Sequence, residues 1–181
     1  NEPTVYFFVG RKAEAALCAE YINVVSNSLN TFVPSEISSF RSLFQFLMEL
    51  GTRKSFNLVI DEFQEFYNIN VSVYSDMQNI WDQYRLKTKI NLILSGSVYS
   101  LMNKIFQDYK EPLFGRADNI IKLSAFDTET LKEIIHDNNP NYSNDDLLAL
   151  YTFTGGIPKY IEILCDGCEL KVDKMIEFMV R

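Results

Sequence analysis

Two adjacent carboxylates, Asp61 and Glu62, directly follow a largely apolar run at residues 56–60. Such a run is typical of a strand buried on both faces of a parallel sheet, and the carboxyl ends of these strands open onto the crevice where α/β sheets bind ligands. A carboxylate in that place can hold magnesium, and the next one can polarise an attacking water. Alternatively, the two acids simply begin the next helix, because acidic side chains favour helix N-termini.

A second apolar run, residues 90–94, ends in Ser95, Gly96 and Ser97. If both runs are parallel strands, their carboxyl ends meet at one edge of the sheet, and we expect Ser95 beside Asp61. A hydroxyl there could sense phosphate or the reacting water. The alternative is an ordinary cap for a helix that begins at Val98, which suits Ser97 better than Ser95.

Two further sites could contact a nucleotide. Arg116 ends a loop at residues 112–116, where its charge could compensate a transferring phosphate, although isolated loop arginines are more often solvated or paired at the surface. Gly155, Gly156 and Pro158 lie between two predicted helices. A glycine that ends one helix and a proline that opens the next explain this pattern structurally, and contact with a bound base and ribose is the functional alternative.

The cysteines form no recognisable catalytic or metal-binding set. Cys165 and Cys168 make a lone C-x-x-C, and zinc would need two more ligands at a spacing that Cys18 and the single His136 do not supply. We interpret all three as reduced thiols in a reducing compartment and expect a cytoplasmic protein.

Composition narrows the classes of function. The 181 residues are 47% hydrophobic and carry a net charge of −7, which indicates a globular chain and argues against a sequence-independent electrostatic grip on nucleic acid. No apolar run approaches the roughly 18 residues that would indicate a membrane span. We therefore expect no membrane partner.

The order of predicted elements gives the fold class. Apolar runs that predict strands alternate with helical spacing as far as residue 126, which indicates an α/β domain with a mostly parallel sheet. From residue 127 onward only helical spacing remains. We predict an α/β core at residues 1–126 and a helical subdomain at residues 127–181. The predicted strands are residues 4–9, 56–60, 90–94 and 120–126, and the predicted C-terminal helices are 130–135, 145–153, 157–164 and 172–179.

A phosphate-binding loop is absent from these 181 residues. The pattern G-x-x-x-x-G-K-[ST] cradles nucleotide phosphates with backbone amides. The seven glycines cannot form it before any Lys-Ser or Lys-Thr.

Four segments in order resemble the P-loop ATPases of the AAA+ superfamily, in the prokaryotic, archaeal-type group close to the STAND ATPases. Residues 58–66 (LVIDEFQEF) resemble its Walker B strand and residues 90–102 its sensor strand with the following helix. Residues 111–118 (EPLFGRAD) resemble its arginine loop, and residues 155–162 (GGIPKYIE) the glycine-proline motif of its helical lid. The resemblance spans residues 5–164 and lacks the N-terminal Walker A segment.

The resemblance implies a three-layer parallel sheet in AAA+ order, with the central phosphate-loop strand missing, followed by the helical lid. It also implies the cofactors ATP and Mg²⁺. Asp61 would hold magnesium through water, Glu62 would position the hydrolytic water, and Ser95 would be the sensor. Arg116 would contact phosphate, in cis or from a neighbouring subunit, and Gly156 and Pro158 would lie near the adenine.

Three functions remain open at this point. The first is a fragment of a magnesium-dependent ATPase that acts as a switch or motor, inactive by itself. The second is a non-catalytic binding or scaffold module with a degenerate nucleotide site. Metal-dependent nuclease chemistry at Asp61 and Glu62 ranks last, because it would require further acids and a lysine on neighbouring strands and we find no such set in the sequence. A missing central strand would also leave exposed strand edges, through which we expect the fragment to self-associate.

Overall fold

The computed structural model describes residues 2–180 and divides into two compact units, of which the first ends at Asn119 and the second begins at Ile120. The first unit is an α/β layer structure and the second is helical. Each unit has its own hydrophobic core.

Three parallel strands form the sheet of the first unit, in the order β1-β2-β3. They are β1 (Thr4–Phe8), β2 (Phe56–Asp61) and β3 (Ile90–Leu94). The register pairs Phe7 with Ile60 and Ile60 with Leu94. The carboxyl ends of the strands therefore meet at one edge, as the apolar runs predict.

Four helices of the first unit connect these strands, and a fifth follows β3. They are α1 (Glu14–Leu29), α2 (Phe40–Gly51), the four-residue α3 (Phe66–Ile69), α4 (Ser72–Tyr84) and α5 (Tyr99–Gln107), with a 3-10 turn at Phe63–Glu65. Ser39 caps α2 because its hydroxyl accepts a hydrogen bond from the Ser42 amide at 3.2 Å.

The two faces of the sheet differ in exposure. Alternate strand residues point to opposite faces, and those of the covered face, such as Phe7 and Ile60, are fully buried in the core. On the other face Tyr6 is 49%, Phe8 55% and Ile93 43% exposed. The expected three-layer arrangement is therefore not seen among the described residues, since this second face is partly open.

The fourth predicted strand, residues 120–126, is wrong for the described structure. These residues adopt no regular structure, and Ile121 and Leu123 are more than four-fifths exposed. Composition gives a segment strand propensity, but a strand also needs a neighbour whose backbone groups pair with it. The hydrogen bond from the Phe126 amide to the Gly156 carbonyl, at 2.8 Å, instead joins the end of this segment to the helical unit.

The four helices predicted after residue 127 are confirmed. They are α6 (Thr128–Asn138), α7 (Asn144–Thr154), α8 (Pro158–Gly167) and α9 (Val172–Met179). Their helical spacing brings a small set of apolar side chains together as a core, comprising Leu131, Ile135, Leu150, Ile161, Leu164, Leu170 and Met175. None of the helices in residues 2–180 has the length and apolarity needed to cross a membrane.

Asp146 joins two helices of this unit through three hydrogen bonds. Its Oδ2 accepts from the Ser143 amide and hydroxyl, both at 2.8 Å, which completes a capping box at the start of α7. Its Oδ1 accepts from the Val172 amide at the start of α9, at 2.9 Å. The Ser143 amide is the largest of the causes that hold the pKa of Asp146 below its ordinary value.

We expect Asp146→Ala to lower the free energy of unfolding of the helical unit by about 1–3 kcal/mol, because two partly buried backbone amides lose a charged acceptor. The folded-state pKa lies below the unfolded value of about 3.9. The carboxylate's contribution is therefore complete above that pH and is lost as the pH falls through the folded-state pKa. Calorimetric unfolding of both proteins between pH 7 and pH 2 measures this.

Asp145→Ala is the matched control, since Asp145 is exposed in the same first turn of α7. We expect it to cost only a few tenths of a kcal/mol. Equal losses in the two variants would contradict the linking role of Asp146.

Candidate functional site

Asp61 lies at the carboxyl end of β2 and is held by side chains from both neighbouring strand segments. The Ser95 hydroxyl, just after β3, donates to its Oδ1 at 2.6 Å, and the Tyr6 hydroxyl of β1 donates to its Oδ2 at 2.6 Å. These two bonds, the one from Ser95 first, hold the pKa of Asp61 below its ordinary value. The predicted proximity of Asp61 and Ser95 is confirmed, and the arrangement keeps a negative charge at the edge of the sheet.

Glu62 follows in the left-handed backbone conformation, with φ 54° and ψ 38°. Non-glycine residues rarely adopt this conformation, and it costs on the order of 1 kcal/mol or more. The Glu62 Oε2 accepts hydrogen bonds from the Ser97 hydroxyl at 2.9 Å and from the Gln64 side-chain amide. The two carboxylates, adjacent in the sequence, are therefore held by different donors.

The segment after Glu62 is anchored in the core. Phe63 is fully buried and its ring lies edge-on to Tyr74 at 5.4 Å between centroids. Its amide donates to the Ser95 carbonyl at 2.9 Å, and the Ser95 amide donates to the Ile60 carbonyl at 3.0 Å. Backbone bonds on both sides of Ser95 thus join the ends of β2 and β3. The alternative that the two acids begin the next helix is met in part, since Glu62 is the N-cap residue of the 3-10 turn, although its side chain makes no capping hydrogen bond.

Arg116 is engaged within the protein. Its Nε and Nη2 donate to the Asp82 carboxylate of α4, with the shortest distance 2.7 Å, and its Nη1 donates to the carbonyls of Pro112 and Phe114. The guanidinium holds the pKa of Asp82 below its ordinary value. This is the surface-paired alternative of the sequence analysis. A phosphate contact by Arg116, which stays a prediction, would require the Asp82 pair to open.

The glycines before Pro158 have structural functions in the second unit. Gly155 ends α7 with φ 58°, and Pro158 is the first residue of α8. Gly156 has φ 73°, and a Cβ there would lie 2.5 Å from the Phe126 carbonyl oxygen. Both features require glycine whether or not a base binds nearby, so the nucleotide contact of Gly156 and Pro158 stays a prediction.

Sequence reasoning missed two contacts and misassigned a third. Nothing in the sequence signalled the bond from Tyr6 to Asp61, because it depends on the parallel register of β1 and β2. Gln64 could have been noticed as an uncharged polar residue between two phenylalanines that the structure buries. A cap of the following helix by Ser97 was the alternative to a functional role, but α5 begins at Tyr99 after Val98, and the Ser97 hydroxyl binds Glu62 instead.

The donor set fits magnesium only in company with a nucleotide. In residues 2–180 no three His, Cys, Asp or Glu side chains form a group that could hold a metal ion. Protein sites for Mg²⁺ that use one or two carboxylates complete the coordination with substrate phosphates and water. Asp61, kept ionised by Ser95 and Tyr6, is suited to that single carboxylate role.

The three cysteines are free thiols. Burial raises the pKa of Cys18 to about 11, and burial also raises the pKa values of Cys165 and Cys168. Cys168, which directly follows α8, donates to the Leu164 carbonyl of that helix. These environments disfavour the reactive thiolate.

The carboxyl ends of parallel strands, where Asp61, Glu62 and Ser95 lie, are the place where α/β sheets bind ligands. The model of a family described as an ATPase domain predominantly from Archaea matches residues 6–164. The chain belongs to that family.

Individual proteins are also similar to this chain. An uncharacterized protein of Methanocaldococcus jannaschii is 35% identical over 105 residues, or 58% of this chain, and the match spans 23% of that protein's length. The fold is similar to a Walker-type ATPase of Pyrococcus abyssi, with a TM-score of 0.64 and 18% identity, covering 97% of this chain and 59% of that one.

Two further solved structures share the fold. One is Cdc6p from Pyrobaculum aerophilum, with a TM-score of 0.51 and 18% identity, covering 82% of this chain and 40% of that one. The other is a RuvB variant from Thermotoga maritima, with a TM-score of 0.54 and 14% identity, covering 98% of this chain and 61% of that one. This chain spans less than two thirds of each of these proteins.

Proposed function

We propose that this chain is part of a magnesium-dependent ATPase of the AAA+ type, close to the STAND group, that works as a switch or motor. The supporting observation is the cluster at the ends of β2 and β3, where Ser95 binds Asp61 and Glu62 follows directly. In a chain of an ATPase family, Asp61 would hold Mg²⁺ through water and Glu62 would orient the hydrolytic water. Ser95 would sense the phosphate through its hydroxyl.

We further propose that the phosphate-binding loop lies outside these 181 residues, on a strand that pairs with the free edge of β3. Among the described residues β3 has a neighbour on one side only, and Ile93 on its open face is 43% exposed. The extended apolar segment at residues 120–126 would pair on the far side of that strand. This accounts for a predicted strand that finds no partner here.

The helical unit would then serve as the lid, with Gly156 and Pro158 beside the adenine. Its hydrogen bond from Phe126 to Gly156 would couple the proposed outer strand to the turn between α7 and α8. We propose a cytoplasmic location for the whole protein on the basis of its free thiols.

A scaffold module with a degenerate nucleotide site is the second candidate, and Arg116 favours it. Its Nε and Nη2 donate to Asp82, and its Nη1 donates to two backbone carbonyls. An arginine paired in this way has its charge balanced by a carboxylate and would have to leave Asp82 to contact a phosphate.

Titration calorimetry of ATP with Mg²⁺ separates the candidates. We expect the 181-residue chain to show no micromolar binding, because the loop that cradles phosphate is missing from it, and to sediment as dimers or larger species through its free strand edge. The full-length protein should bind and hydrolyse ATP. Micromolar binding by a strictly monomeric 181-residue chain would contradict the proposal, and a full-length protein that neither binds nor hydrolyses ATP would favour the scaffold.

A further inference from the structure

Gln64 is a buried amide in an otherwise apolar position. Its side chain is fully buried beside Phe63 and Phe66, whose rings also belong to the core. Its Nε2 donates to the Glu62 carboxylate, while its Oε1 is the one buried side-chain oxygen or nitrogen in residues 2–180 without a hydrogen-bond partner. An unpaired buried oxygen costs stability, so packing alone would favour a leucine or methionine here.

The surroundings of Gln64 are built to accept this side chain. A Cβ on Gly96 would collide with the Gln64 Oε1 and with the Met102 side chain, so the glycine between Ser95 and Ser97 leaves the space that the amide fills. The buried Tyr74 hydroxyl lies 3.3 Å from the Gln64 carbonyl, to which it donates. Backbone and side chain of Gln64 are therefore both fixed.

We propose that Gln64 is a positioning residue that orients Glu62 for its proposed work on the hydrolytic water. Gln64 and Ser97 approach the same oxygen, Oε2, from the segments that follow β2 and β3. Two donors on one oxygen fix the plane of the carboxylate and leave Oε1 to accept the proton of a water. This inference rests on the proposed ATPase function and adds to it the residue that sets the geometry.

Gln64→Leu in the full-length protein tests the inference. It removes the donor but keeps a similar volume and eliminates the unpaired oxygen. We expect kcat for ATP hydrolysis to fall about tenfold to a hundredfold, because misplacing a catalytic group by about 1 Å can cost a hundredfold, while KM and the Kd for ATP change less than about twofold. The thermal midpoint should stay the same or rise.

Gln45→Leu is the matched control. Gln45 is exposed on α2 and its amide donates to Glu49 at 3.1 Å, so the same chemical change removes a Gln–Glu contact far along the chain from Glu62. We expect wild-type kcat. If kcat and the thermal midpoint of Gln64→Leu fall together, Gln64 is merely structural and the inference is overturned. Gln64→Met repeats the comparison with a more adaptable side chain.

Two combinations show whether Gln64 acts through Glu62. In a Glu62→Gln background, adding Gln64→Leu should leave the residual turnover unchanged, since the group that it orients is gone. Wild-type turnover by Glu62→Gln alone would refute the proposed function, whereas loss of turnover by Glu62→Gln with full kcat in Gln64→Leu would refute only this inference. If the protein shows no turnover at all, non-additive urea midpoints for Gln64→Leu and Glu62→Ala still support the contact, and additive midpoints overturn it.

Discussion

Replacing Glu62 with glutamine is expected to reduce ATP turnover in the full-length protein by about a hundredfold to ten-thousandfold, the range that a positioned general base contributes. The amide cannot accept the proton of the hydrolytic water, but it keeps the size of the side chain. Because Asp61 and the rest of the site are unchanged, ATP should remain bound. Phosphate release gives kcat, and a fluorescent ATP analogue gives the Kd.

Glu65→Gln is the control for this variant. Glu65 lies three residues further along, in the 3-10 turn, where its carboxylate pairs with Arg11 at 3.2 Å. The change in charge is identical, and we expect turnover within about twofold of the wild type, since a surface ion pair contributes little. Wild-type turnover in Glu62→Gln, or an equal loss in both variants, would remove the assigned role.

Asp61→Ala is expected to weaken magnesium-dependent nucleotide binding by about tenfold to a hundredfold, the usual loss when a group that acts on a metal through an intermediate ligand is removed. The effect should appear as a higher Mg²⁺ concentration needed for half-maximal ATP binding. Nucleotide binding measured without Mg²⁺ should change little, because Asp61 contacts the nucleotide only through the ion and its water.

Asp61→Asn distinguishes a loss of Mg²⁺ binding from a loss of stability in this experiment. The asparagine carbonyl oxygen can still accept from one of the two hydroxyls that bind Asp61, those of Ser95 and Tyr6, so the sheet edge keeps part of its hydrogen bonding. We expect a thermal midpoint nearer the wild type than that of Asp61→Ala, with a similar loss of Mg²⁺ dependence. An unchanged Mg²⁺ requirement in both variants would show that Asp61 does not hold the ion.

Local sequence pattern and strand direction were enough to predict part of this site. Apolar runs ending in polar residues identified β2 and β3, and their parallel direction was enough to place Asp61 beside Ser95. The donors to these carboxylates could not be predicted. Tyr6 reaches Asp61 only through the register of β1 and β2, and Ser97 binds Glu62 because α5 starts at Tyr99, one residue later than predicted. Contacts between segments distant in the chain leave no periodic signal.

The segment at residues 120–126 shows the opposite limit. Its apolar residues have the composition of a strand, but strand formation depends on a partner with free backbone groups, and none is present beside it in the described chain. The partly exposed second face of the sheet was also beyond sequence reasoning. The alternation of side chains along a strand does not tell which face another element will cover.

The left-handed backbone at Glu62 places stability and activity in opposition. Glycine would relieve the conformation without steric cost but would leave the buried Gln64 amide without its acceptor, so redesign for thermal stability would favour replacing Glu62 together with Gln64. If the proposed role is right, the most stable versions of this domain would also be inactive ones. Homologous domains that have given up hydrolysis would then be recognisable by a glycine or asparagine at this position.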